Sequence, residues 1–313
     1  MKNKKRLIAV VGPTASGKTS LSIKLAKKYN GEIVSADSMQ IYTGMDIATA
    51  KPTKEEMQGI PHHLMNFLSP TQSFSVSEYV ELAEIAIDDI ISRQKQPILC
   101  GGTGLYFRSF VENIKFSEEK PNENLRKELN ARYKNEGGDV LLKELAEFDE
   151  EMAKTLHPNN GKRIIRAIEI YKTTGITMSE HIKRSKEEPS PYELTAIGIT
   201  FADRQKLYDR INMRVDIMLR NGLLEEAKKF YGHYKSNTAS AAIGYKELKP
   251  YLDGEISLGE AVEKLKQETR HYAKRQLTWF RRDKNINWIE ADKCDDIFTK
   301  ACEIIKRNNP DMD

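Results

Sequence analysis

The sequence predicts an α/β fold: a P-loop parallel sheet flanked by helices, with a helical insertion domain. Three observations carry that expectation. Gly12-Pro13-Thr14-Ala15-Ser16-Gly17-Lys18-Thr19 matches the phosphate-loop pattern G-x-x-x-x-G-K-[ST] at every fixed position. Short β-branched runs alternate with amphipathic helical stretches up to about residue 117, and the alternation resumes near residue 190. Between them lie charged segments at helical spacing with no convincing strand. The expected division is a catalytic core from residues 1–117 and 190–313, with residues 118–189 inserted into it.

Leu7–Val11 reads as a buried parallel strand, and Ser20–Tyr29 as the helix after the glycine loop. Glu32–Ala36 is a second strand, running into Asp37-Ser38-Met39-Gln40-Ile41-Tyr42. Residues 49–59 look like a polar connection, and Leu64–Leu68 like another short strand. Ser75 and Glu78 form a capping box for a helix ending near Arg93. Pro97–Cys100 is the next strand, followed by Gly101-Gly102-Thr103-Gly104-Leu105-Tyr106, where backbone can approach a ligand closely. Helical stretches follow at Asn124–Asn135, Asp139–Glu147, Glu150–Leu156 and Gly161–Thr173. The strand Leu194–Ile199 returns the chain to the sheet. Helices are then expected over 203–220 and 222–234, a short one after Ala241–Glu247, and the longest over Ser257–Arg282. Ile286–Ile289 reads as an edge strand and Asp295–Arg307 as a closing helix.

Composition narrows the class. Fifty Lys and Arg against 46 Asp and Glu give a net charge of +4, so only local clustering of charge is informative. Three cysteines without CxxC or CxxH spacing argue against a disulfide framework or zinc site and fit a reducing cytoplasm. No apolar run is long enough for a membrane span, so a soluble cytoplasmic protein, expected to be a monomer, follows. Paired histidines at 62–63 lack partner ligands and suit a hydrogen-bonded pair better than a metal site.

The loop's backbone N–H groups, residues Gly12 to Lys18, converge with a helix N-terminus on one spot and stabilise an anion there. Lys18 adds a point charge, and the Thr19 hydroxyl suits Mg²⁺ shared with phosphate oxygens. The strand Pro97–Cys100 ends in glycines rather than in the acid that motor-type NTPases place there. Asp37 is the one strand-end acid near the loop; it suits either a proton acceptor for an attacking nucleophile or a turn-forming aspartate. Two basic stretches stand out. Lys162, Arg163 and Arg166 lie at i, i+1 and i+4, and residues 262–284 hold eight Lys or Arg against three acids, interleaved with aromatics. Basic residues alternating with aromatics suit RNA, although Leu265, Tyr272, Leu277 and Phe280 also suit a core.

G-P-T-A-S-G-K-T, D-S-M-Q-I-Y, G-G-T-G-L-Y, K-R-I-I-R-A-I-E, A-I-G-Y-K-E and K-R-Q-L-T-W-F-R-R together resemble the tRNA dimethylallyltransferase (tRNA isopentenyltransferase) family, in family order from residue 6 to about 283. No zinc-finger spacing follows them, so the bacterial form is expected; Lys162 stands where Gln is more usual. The resemblance implies transfer of a dimethylallyl group from dimethylallyl diphosphate to the exocyclic amine of the adenosine following a tRNA anticodon. Asp37, Thr14, Lys18, Thr103 and Arg214 would be catalytic, and residues Gly12, Pro13, Thr14, Ala15, Ser16, Gly17, Lys18 and Thr19 would bind the diphosphate with Mg²⁺ at Thr19. The tRNA anticodon stem-loop would meet Asp37, Ser38, Met39, Gln40 and Thr103, and the stretch Lys162, Arg163, Ile164, Ile165 and Arg166. It would also meet Gly244, Tyr245, Lys274, Arg275, Gln276, Trp279, Arg281 and Arg282. An adenylate isopentenyltransferase or a small-molecule kinase using ATP shares the loop and remains the alternative.

Overall fold

The computed structural model describes residues 4–116, 122–185, 187–234 and 239–312. The chain divides into two compact units, Met1–Val111 with Pro191–Asp313, and Glu112–Ser190. The strands, all in the first unit, are β1 (Lys5–Val11), β2 (Gly31–Ser35), β3 (His62–His63), β4 (Gln96–Gly101), β5 (Tyr192–Thr200) and β6 (Ile286–Glu290). Its helices are α1 (Lys18–Lys28), α2 (Lys54–Met57), α3 (Val76–Ser92) and α4 (Gly104–Val111) before the second unit. That unit holds α5 (Glu123–Glu136), α6 (Gly138–Phe148), α7 (Glu150–Thr155), α8 (Gly161–Thr174) and α9 (Met178–Arg184). The first unit resumes with α10 (Arg204–Arg220), α11 (Leu223–His233), α12 (Tyr245–Leu252), α13 (Leu258–Phe280) and α14 (Ile297–Asn308).

The sheet runs β3-β2-β4-β1-β5-β6 and is parallel throughout. Its central strands carry Ile, Val, Leu and Ala at successive positions because both faces are covered. Ile8, Val10 and Ile197 point to one face, where they meet Leu21 and Leu25 of α1 and Ile304 and Ile305 of α14. Residues Tyr79, Ala83, Ile87 and Ile90 of α3 bury the opposite stripe, at the helical spacing read from the sequence. A second core joins α10–α13 to the segment after β2, with Ile41, Tyr42, Phe230, Tyr245 and Leu265 all buried.

Two expectations need correcting. The strand expected over Leu64–Leu68 is instead His62–His63, with only a single parallel bridge from Leu68 to Tyr42. Leu64 and Asn66 both have φ of 58°, and the left-handed backbone breaks the extended run that apolar composition suggested. The polar connection after Thr49 contains a helix, α2, whose Thr53–Glu56 capping box is complete. His63 Nε2 lies 2.7 Å from the Glu32 carboxylate, which also accepts from Arg93 and Lys95 in a strand-edge ion cluster, while His62 Nδ1 lies 2.8 Å from the Ile60 carbonyl oxygen.

The inserted unit is all helical among its described residues, with Leu129, Leu141, Leu145, Ile164 and Ile168 at its centre. Glu169 is 1 % exposed there, and it accepts from Arg126, Arg166 and the Asn122 backbone N–H. Burial without those partners would cost several kcal/mol, of order 3–5 if one were removed.

Gly101, at the end of β4, sits where β2 passes closest: a Cβ added to it would lie 2.1 Å from the Ala36 carbonyl oxygen. Gly101→Ala therefore forces the two strand ends apart. The expected loss is about 2–3 kcal/mol of stability, measured by urea denaturation.

Candidate active site

The carboxyl ends of β2, β4 and β1 lie side by side, and each passes into a loop that carries polar groups. After β1 the backbone turns at Gly12, whose φ is 143° and whose missing Cβ leaves room for the Ile199 carbonyl oxygen, 2.5 Å from where it would stand. Ala15 is held at φ 61°, an arrangement that costs an L-residue energy and marks a loop shaped for something other than stability. Gly17, left-handed at φ 97°, starts α1. The N–H groups of Lys18 and Thr19 thus lie in a first turn, where no intrahelical acceptor exists, and the helix dipole adds positive potential. Ser16 Oγ is buried with no hydrogen-bond partner among the described residues, an orphaned donor inside the loop.

Lys18 Nζ donates to the Pro13 carbonyl at 2.7 Å, which keeps the ammonium over its own loop. Burial pushes its pKa down to about 8; Cys100 and Asp37 pull it up, and Arg214 pushes it further down. Arg214, on α10, is likewise held below the ordinary guanidinium value, by burial first and by Arg210, while Asp37 and Glu56 oppose. One turn earlier, Arg210 Nε donates to the Ala15 carbonyl at 2.9 Å. Two arginines on one face of α10 thus reach the loop region, one tying its backbone and one lying within electrostatic reach of Lys18 and Asp37.

Asp37 forms the turn that its position in the sequence allowed. Its Oδ1 accepts from the backbone N–H groups of Met39 at 2.9 Å and Gln40 at 3.3 Å, an Asx turn that fixes the carboxylate. Its Oδ2 makes no hydrogen bond to the described residues. The loop after β4 is tied to this turn: Thr103 N–H donates to the Ala36 carbonyl at 3.1 Å, and Ser38 N–H donates to Thr103 Oγ1 at 3.0 Å. Gln40 is turned inward, accepting from Ser35 and donating to the Thr49 carbonyl.

The remaining sequence candidates separate by burial. Lys274 and Arg275 on α13, and Arg281 and Arg282 just after it, are exposed, while Trp279 packs against Gly104. The amino-terminal half of that helix uses its cations internally: Lys266 on Asp216, Lys264 on Glu268 and Arg270 on Asn212. Gln276 is 5 % exposed and engages both ends of its amide within the protein, so it does not lie on an RNA-facing surface. Tyr245 is fully buried, donating to Glu226, and Ile164 and Ile165 are core residues of the inserted unit. Their apolar chemistry points to packing rather than contact. Lys162 and Arg163 on α8 are exposed without an ion pair among the described residues, whereas Arg166 is bound to Glu169.

Three contributors were not singled out from sequence. Arg210 reads from the sequence only as i, i+4 from Arg214 on one helix face, without a role of its own. Tyr272, readable as core, sits beside Thr103 and Gln276 within reach of Asp37, and burial raises its pKa. Glu226 accepts from the N–H groups of Asp46, Ile47 and Ala48 and so braces the segment after Asp37; nothing in its local sequence indicates this.

Residues 40–283 match the family model described as IPP transferase. A tRNA dimethylallyltransferase from Acetivibrio thermocellus is 50% identical over 92% of this chain and 93% of its own length. The chain belongs to the IPP transferase family. Among solved structures, a tRNA isopentenylpyrophosphate transferase from Bacillus halodurans is 45% identical, with TM-score 0.71, covering 98% of this chain and 95% of the other. A eukaryotic dimethylallyltransferase acting on tRNA is 30% identical with TM-score 0.82, covering 97% of this chain and 79% of that one.

A base whose pKa lies near 8 takes up a proton when a dianion binds beside it. Pyrophosphate binding near pH 9 should therefore draw protons from solution, and affinity should fall as pH rises through about 8. Calorimetry in buffers of different ionisation heat measures the uptake; Lys18→Met should abolish it.

Proposed function

We propose that this protein is a tRNA dimethylallyltransferase, moving the dimethylallyl group of dimethylallyl diphosphate onto the exocyclic amine of the adenosine that follows a tRNA anticodon. The observation that carries the reading is a fixed carboxylate, Asp37, with one free oxygen beside a diphosphate loop. Breaking the allylic carbon–oxygen bond loads charge on the diphosphate, which Lys18, Arg214 and the loop N–H groups not taken up by the protein would stabilise. Thr14 and Thr19 belong to the same loop. The amine nitrogen bonds to the allylic carbon as the diphosphate departs, and Asp37 Oδ2 accepts the amine proton late in that step. Thr103 holds the Asp37–Ser38 turn from the β4 side.

The reading includes Mg²⁺ as cofactor. The Thr19 hydroxyl makes no side-chain hydrogen bond among the described residues, and a hydroxyl with diphosphate oxygens is the hard oxygen set that ion takes. When bound it offsets leaving-group charge.

A stacked base must be flipped out to reach such a site, at a cost of a few kcal/mol. Lys274 and Arg275 of α13, Arg281 and Arg282 just after it, and Lys162 and Arg163 of the inserted unit are exposed cations that would grip RNA phosphates. The protein would act as a cytoplasmic monomer; no helix among the described residues is long and apolar enough to cross a membrane.

Labelled dimethylallyl diphosphate offered with bulk tRNA, with AMP, or alongside ATP and nucleosides tests the reading. Label should enter tRNA. Label in AMP indicates an adenylate transferase, and phosphate transfer from ATP indicates a kinase.

Asp37→Ala should reduce single-turnover rates at saturating tRNA roughly 10²–10⁴-fold while leaving tRNA affinity within a few-fold. Each phosphate contact contributes a slope of about −0.7 in log K against log salt, so Lys274→Ala with Arg275→Ala should flatten that slope by about one unit or more, measured by filter binding. Pyrophosphate binding should be unaffected.

A further inference from the structure

The buried amide of Gln276 on α13 joins two loops that are far apart in sequence. Its Oε1 accepts the Thr14 backbone N–H at 2.8 Å, and its Nε2 donates to the Gly102 carbonyl at 3.0 Å. The side chain is 5 % exposed, so neither group has water as a substitute. A Cβ on Gly102 would stand 2.2 Å from Nε2; the glycine is what lets the amide in. From Gly102 the connection continues through Thr103 Oγ1 to the Ser38 N–H, and Ser38 adjoins Asp37. On the far side, Arg210 holds the Ala15 carbonyl. Thr14 N–H is thereby committed to the protein rather than to an anion.

We propose that Gln276 is a positioning residue that sets the spacing between the diphosphate loop and the turn bearing Asp37. The inference rests on the transfer reaction for its meaning, since leaving group and proton acceptor must stay aligned across one forming bond. Near neutral pH an amide satisfies both loops at this place where an ionised or apolar side chain does not. A carboxylate accepts from Thr14 but confronts the Gly102 carbonyl with a second negative oxygen; a thioether makes neither bond. A protonated carboxylic acid, by contrast, accepts with one oxygen and donates with the other, restoring the bridge. Misplacement of reacting groups by about 1 Å costs roughly 100-fold in rate.

The test uses Gln276→Met and Gln276→Glu in the full chain, reading kcat and the KM for dimethylallyl diphosphate with tRNA from about pH 5.5 to 8, each as a ratio to the unmodified protein. Gln276→Met should lose about 100-fold in kcat/KM at every pH, mainly in kcat. Gln276→Glu should lose as much near pH 8 and regain tenfold or more near pH 5.5. The same ratio is read for binding of inorganic pyrophosphate with Mg²⁺ by calorimetry, which needs no turnover. A pH-independent ratio for Gln276→Glu in both measurements, or Gln276→Met within threefold of the unmodified protein, overturns the proposal. Recovery of pyrophosphate binding at low pH in a protein that labels no tRNA leaves the bridge standing and overturns the functional reading instead.

Discussion

The site depends on how closely three parallel strands approach at their carboxyl ends. Ala36 N–H bonds the Cys100 carbonyl and Thr103 N–H bonds the Ala36 carbonyl, so the turn after β4 is an extension of the β2–β4 pairing. Gly101 and Gly12 allow that approach by having no side chain where a neighbouring carbonyl sits. The polar groups are then spread over adjacent strand ends, and main-chain bonds together with the Gln276, Arg210 and Thr103 side chains fix the loops that carry them. Pre-organisation of this kind keeps a charge-stabilising site from reorganising as charge develops. The desolvation that lowers the Lys18 and Arg214 pKa values comes with the same enclosure.

Much of this was legible in the sequence, because it is local. The glycine loop, the strand-end Asp37 and the capping boxes at Ser75 and Ser257 are each written in a few consecutive residues. The limits of α5 to α8 in the inserted unit follow from period and caps, whereas the short α9, Met178–Arg184, lies outside the stretches expected from the sequence. What was not legible is long-range. Gln276 meets Thr14 across 262 residues, and Glu226 meets Asp46 across 180. No periodicity indicates which polar residue on an amphipathic helix turns inward to satisfy a distant backbone. Leu64 failed for a different reason: apolar composition predicts extension, and a left-handed φ overrides it.

Charge count misled in the same way. The long helix α13 looked predominantly basic, yet Lys266 pairs with Asp216 and Lys264 with Glu268, and Arg270 donates to the Asn212 amide oxygen. Arg166 likewise serves the buried Glu169 and holds α5 to α8 through Arg126 on the same carboxylate. A basic segment therefore has to be read after subtracting the charges the fold consumes. The cations left over mark a smaller surface than the sequence suggested.

The contact between Gly102 and Gln276 has an evolutionary consequence. Any side chain at position 102 would push the amide aside and break both of its bonds, and any residue without an amide at 276 would strand the Gly102 carbonyl. Neither position can drift first without passing through a weakened intermediate. The two should be inherited as a pair, and lineages that abandon one should be found to have rebuilt the other, leaving a signature of correlated change between two sites 174 residues apart.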